Sequence, residues 1–192
     1  MKTAEWKRQM RTVATEFATR EDSDNLIIEG YFAVFNSNYE IGPGRSESIA
    51  PGAFSRSMSN DVRALVNHDS TLVLGRTKAG TLEIKQTERG LWGRIIVNPN
   101  DRDAVNAYER VKRRDVDQFS FGFDIVAEDA EYRDDGSVHW TITDIELYEV
   151  SVCTFPAYEE TEIMARSAEV ETHKQRELEA WRIAQKERLN NA

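Results

Sequence analysis

Residues 117–128 read DQFSFGFDIVAE and residues 138–155 read VHWTITDIELYEVSVCTF, with Asp134, Asp135 and Gly136 between them. Both runs are rich in β-branched and aromatic residues, and the Asp-Asp-Gly step supplies a turn, so the pair predicts two long antiparallel strands. Pro156 ends the second, because proline has no N–H to give a ladder. Working outward, TLEIKQT (81–87) and LWGRIIVN (91–98), joined through Glu88, Arg89 and Gly90, predict another hairpin. LIIEGYFAVF (26–35) and TLVLGRT (71–77) read as strands, and VRALVN (62–67) as a strand that delivers His68 at its end. NSNYEIGPGRSESIAPGAF (36–54) reads as a loop through its Gly-Pro-Gly and Pro-Gly turns, with a short helix near AFSRSM (53–58).

Helical spacing is confined to the flanks. Trp6, Met10, Val13 and Phe17 recur at intervals of four, three and four, which predicts an amphipathic helix over 4–19. Asn100 is placed to cap a second helix running to about 114, with Asp101 and Asp103 in its first turn and Val105, Tyr108 and Val111 as its buried stripe. Beyond 167 the Ala, Glu, Lys, Arg and Gln mixture predicts a charged helical tail. The pattern is mainly β with flanking helices (α+β), an antiparallel sheet or barrel. It divides into an N-terminal helical extension (1–25), a body (26–166) and the tail (167–192), and shows no internal repeat.

Composition narrows the function. The 192 residues suit one domain with appendages. Cys153 is the only cysteine, which excludes a disulfide framework or a thiolate zinc cluster and favours a reducing compartment. No run approaches the roughly 20 apolar residues of a membrane span, so a cytosolic protein without a membrane partner is expected. Net charge is −9 and unevenly spread: Lys2, Lys7, Arg8, Arg11 and Arg20 against Glu5 and Glu16 leave residues 1–20 at +3, while residues 21–166 carry −12. An acidic body repels phosphate backbones, so no nucleic-acid partner is expected. No phosphate-binding glycine loop, GxSxG elbow or zinc-ligand spacing occurs, and no cofactor or metal is expected.

Of the three histidines, His68 ends an apolar strand in LVNHDS, His139 follows the 134–136 turn, and His173 lies in the tail. Ser120 sits between two phenylalanines in FSFGF, with Gly122 two residues on. The plain reading is an outward serine beside a bulge glycine. The chemical reading is a nucleophile, which needs a base within hydrogen-bond reach and a third group to orient that base. A hairpin centred on Asp134 and Asp135 pairs residue 120 with residue 149, which is Glu149, within about 5–8 Å on or diagonal to Ser120. His139 lies about 33 Å from residue 149 along an extended strand and Asp144 about 16 Å, which makes Asp144 the weaker candidate. For Glu149 the plain alternative is an edge carboxylate paired with Arg113 or Arg114.

Taken in order, GYFAVFN (30–36), SIAPGAF (48–54), LVNHD (65–69), RGLWGRI (89–95), FSFGF (119–123) and YEVSVCTFPAY (148–158) resemble the prohead proteases of tailed bacteriophages. These are capsid-maturation serine peptidases, similar in fold to the herpesvirus assemblins. The resemblance spans roughly residues 26–166. It implies an antiparallel, assemblin-like β-barrel with a catalytic serine and histidine on its wall. His68 of NHD and Ser120 of SFGF take those positions. The herpesvirus relatives use a second histidine as third member; none is available near 149, so an acidic residue, Glu149, is assigned to it. The resemblance further implies a serine endopeptidase acting in the host cytoplasm, inside the phage prohead, on scaffolding protein, major capsid protein and itself, and a homodimer in the manner of the herpesvirus enzymes. The competing expectation is a protease-like internal scaffold without enzymatic activity.

Overall fold

The computed structural model of the chain describes residues 9–13, 17–22, 25–155 and 160–190. Its strands are β1 (Gln9–Val13), β2 (Phe17–Asp22), β3 (Asn25–Val34), β4 (Tyr39–Gly42), β5 (Arg45–Ile49), β6 (Arg63–Val66), β7 (Asp69–Arg76), β8 (Leu82–Gln86) and β9 (Gly90–Val97). Helix α1 (Arg102–Lys112) follows, then β10 (Gln118–Tyr132), β11 (Val138–Cys153) and helix α2 (Glu160–Asn190). The chain divides into two units, residues 1–157 with the described strands and residues 158–192 with α2.

Every strand read from the sequence forms, and four more appear among the described residues. Residues 36–54, expected to be a loop, contain β4 and β5. They escaped because Arg45–Ile49 buries polar side chains, Ser46, Glu47 and Ser48, whose partners lie far along the chain. The helix expected over 4–19 is replaced, within the described residues, by β1 and β2. The edges of β10 and β3 carry unpaired backbone groups that a neighbouring strand satisfies. Pairing of β1 with β10 and β2 with β3 outweighs the helical spacing. The N-cap of α1 is Asp101 rather than Asn100; its Oδ1 accepts from the Asp103 and Ala104 amides at 3.0 and 3.3 Å, a cap that contributes about 1 kcal/mol.

The strands form two sheets. The larger runs β1-β10-β11-β5-β4, with β6 also on β11 and β7 on β6; the smaller runs β2-β3-β9-β8. The expected barrel does not form, since the described strands do not close either sheet. Nor is the pairing all antiparallel: β5 and β6 both run parallel to β11, at residues 138–142 and 149–152. The chain leaves the β11 edge after Ile49, makes a 3-10 turn at Ser55–Ser59, and rejoins the same edge in the same direction. Between the sheets lies the core. Phe32 of β3 meets Phe119 of β10 with ring centroids 4.4 Å apart, and Phe54 and Phe123 extend the cluster around Phe121. Tyr108 and Val111 of α1 close one side, with Ala104 and Ala107; Val105 of the expected stripe is only half-buried.

Candidate active site

The β10–β11 hairpin sets the site. Alternation along β10 turns Phe119, Phe121 and Phe123 into the core and Ser120 and Gly122 to the other face, while Glu149, Ser151 and Cys153 alternate with Val150 and Val152 on β11. Ser120 pairs with Ser151, and Gly122 with Glu149. Glu149 is therefore diagonal to Ser120 instead of opposite. The loop between Tyr132 and Val138 is centred on Asp135, which moves the register by one residue, and β-bulges between Gly122 and Glu128 move it by another. A Cβ on Gly122 would come within 3.1 Å of Glu149 Cγ and Cδ and closer still to Oε1. The missing side chain is the room that the carboxylate fills.

His68 arrives on a two-residue turn. Val66 pairs with Asp69, and Asn67 and His68 between them take φ of 50° and 59°, the left-handed pair that suits the twist of a tight hairpin. The turn is fastened to the end of β11: the Asn67 amide donates to the Val152 carbonyl at 2.9 Å, and Asn67 Oδ1 accepts from the Thr154 amide at 2.9 Å. The His68 amide donates to Ser151 Oγ at 3.3 Å. His68 Nδ1 lies 2.6 Å from Glu149 Oε1, and Ser151 Oγ donates to Glu149 Oε2 at 2.6 Å. An ionised carboxylate only accepts, so Nδ1 carries the proton and Nε2 offers its lone pair.

Ser120 is fully buried, and its hydroxyl donates to the Arg11 carbonyl on β1 at 2.8 Å. Nε2 of His68 faces the Cys153 thiol at 3.6 Å. That thiol also meets the Ser120 side chain, so one sulfur stands between the imidazole and the hydroxyl. Burial, then the Glu149 charge, pushes the Cys153 thiol up to about 12. The thiol is protonated and is no rival nucleophile, since thiolate is the reactive form.

The other sequence candidates lie elsewhere. His139 bonds Ser46 Oγ through Nδ1 and Ser48 Oγ through Nε2, each at 2.9 Å. Asp144 is held by Arg56, with Nη2 to Oδ2 at 2.7 Å, and Arg113 pairs with Asp115, not Glu149. Ser151 and Cys153 were not picked out from the sequence. Strand alternation in EVSVC was the available signal, because it puts residues 149, 151 and 153 on one face.

The family model of the caudovirus prohead serine protease matches residues 14–176. The prohead protease of Enterobacteria phage HK97 is 29 % identical over 171 residues, covering 87 % of this chain and 72 % of that protein. The bacteriophage T4 capsid assembly protease shares the fold, with a TM-score of 0.52 at 12 % identity over 79 % of this chain and 99 % of that one. A model that spans most of the body, over strands that bring a histidine, a carboxylate and a buried serine to one face of one sheet, is decisive: the chain belongs to the caudovirus prohead serine protease family.

Proposed function

We propose that this chain is the serine endopeptidase of phage capsid maturation, with Ser120 as nucleophile, His68 as general base and acid, and Glu149 as the group that orients His68. The observation that carries the reading is the Ser151–Glu149–His68 chain, in which the Glu149 carboxylate accepts from Ser151 Oγ and from Nδ1–H, so that Nε2 is the acceptor on the Ser120 side of the sheet. Ser120 Oγ attacks the scissile carbonyl carbon while its proton passes to Nε2. The tetrahedral intermediate collapses as Nε2 gives that proton to the departing amine, which leaves an acyl ester on Ser120. Water then attacks the ester, its proton goes to Nε2, and the acid product leaves as Oγ recovers the proton. Glu149 stabilises the imidazolium in both halves. In the resting arrangement Ser120 must first rotate away from the Arg11 carbonyl and the Cys153 thiol must move aside.

The substrates proposed are the scaffolding protein or segment, the N-terminal part of the major capsid protein, and the chain itself within the prohead. Self-cleavage would remove the charged tail after about residue 166. The test is co-expression of wild type or Ser120→Ala with the phage's own capsid protein, read by intact mass. Trimming of the capsid protein or of the tail by wild type alone supports the reading. Shells that assemble with no protein cut by either form overturn it in favour of a non-enzymatic internal scaffold.

A further inference from the structure

The N-terminal strand occupies the place where a peptide would meet Ser120. β1 lies antiparallel along the edge of β10, with Met10 on Gly122, Arg11 on Phe121 and Thr12 on Ser120. This is how an extended peptide augments an open sheet edge. The Arg11 carbonyl is the group that the Ser120 hydroxyl touches, so the Arg11–Thr12 peptide stands at the nucleophile. The hydroxyl gives its proton to the carbonyl oxygen instead of presenting its lone pair to the carbonyl carbon. β1 therefore sits as an inhibitor, not as a reacting substrate.

The Arg11 side chain is equally well housed. It is 6 % exposed, and its guanidinium takes the Glu47 carboxylate through both Nε and Nη2, the latter at 2.8 Å from Oε2. The guanidinium carbon lies 5.6 Å from the Phe123 ring centroid. Glu47, on β5, is fully buried. A segment that displaces β1 removes this two-point charged pair, and one that brings a guanidinium or ammonium to the same place restores it.

We propose that the β10 edge under β1 is the substrate seat, and that Glu47, with Phe123 beside it, selects an arginine or lysine at the residue whose carbonyl meets Ser120. The inference rests on the protease reading and names its substrate class: extended segments cut after a basic residue. In the resting chain Arg11 fills the pocket and β1 holds the seat closed.

The test uses the full chain and internally quenched peptides copying residues 9–17, QMRTVATEF, with arginine, lysine or glutamine at the third position. Wild type cuts the arginine and lysine peptides at least about tenfold faster than the glutamine peptide, and Glu47→Gln lowers that ratio by about tenfold or more. Because the ratio is taken within one protein, partial unfolding cancels. Arg11→Gln, which frees the seat, raises cleavage of the arginine peptide. Cleavage without preference for a basic residue, a preference that survives Glu47→Gln, or no rise in Arg11→Gln overturns the pocket while the protease reading stands. Binding is read separately, as fluorescence anisotropy of the labelled peptides on Ser120→Ala combined with Arg11→Gln, with an expected Kd at least about tenfold tighter for the arginine peptide. Equal binding overturns the inference. Selective binding with no cleavage of any peptide by wild type or Arg11→Gln overturns the protease reading and leaves the seat.

Discussion

Glu149 and His68, 81 residues apart in the chain, meet at 2.6 Å because β6 lies parallel to β11 and ends in the turn that carries the histidine. The contact fixes which imidazole nitrogen is free. Glu149→Gln keeps the shape but removes the charge that favours Nδ1–H and the imidazolium. The expected result is a fall in kcat of about 10³-fold or more, as for the loss of the orienting carboxylate in a serine triad. Circular dichroism stays unchanged, and Glu149→Asp recovers part of the rate. A kcat for Glu149→Gln within twofold of wild type would remove Glu149 from the mechanism.

Gly122 tests the same contact from the other strand. An added methyl group occupies the volume now filled by the Glu149 carboxylate, which Ser151 and His68 hold from its other sides. Gly122→Ala is expected to turn Glu149 off His68 and lower kcat at least about tenfold. The histidine Nδ1 proton signal in the NMR spectrum shifts upfield with it. An unchanged signal and rate would mean that the strands absorb the methyl group.

Ser151→Ala leaves one oxygen of a buried carboxylate and the His68 amide without the hydroxyl that now serves both. An unmet buried group of this kind costs about 1–3 kcal/mol, which urea denaturation of the Ser120→Ala background measures without interference from self-digestion. Ser151→Thr keeps the hydroxyl and restores most of the loss.

Cys153 gives the pH signature. Its thiol is pushed up to about 12 in the folded chain, against 9.0 for the ordinary group. The folded state therefore holds the proton more tightly than the unfolded state. The associated stability is fully present below pH 9 and is lost as pH rises from 9 towards 12. Ellman's reagent at pH 8 is expected to react with the native thiol far more slowly than with the urea-unfolded chain, and Cys153→Ala flattens the alkaline limb of the stability profile.

The long hairpin, the β8–β9 hairpin and the strand that ends at His68 were legible because their side chains repeat with period two and their turns carry glycine or paired polar residues. The neighbourhood of Ser120 and Glu149 followed from counting residues across a turn, and missed by two because bulges leave no mark in a single sequence. The N-terminal strands were misread for a different reason. Met10, Val13 and Phe17 satisfy helical spacing, and nothing local reports that β10 and β3 have open edges waiting. Glu47 and Ser46 looked like loop residues because burial of polar groups depends on partners 36 and 93 positions away, Arg11 and His139.

His68, Glu149 and Ser120 stand on or at the end of three successive strands of one sheet, β6, β11 and β10. Neighbouring strands are held about 4.8 Å apart by their main-chain ladder, so the spacing of the reactive groups belongs to the backbone rather than to the surrounding side chains. Loosening the aromatic core leaves that spacing in place until the ladder itself parts. Heating should therefore extinguish cleavage and native circular dichroism in a single coincident transition, with no inactive folded form in between.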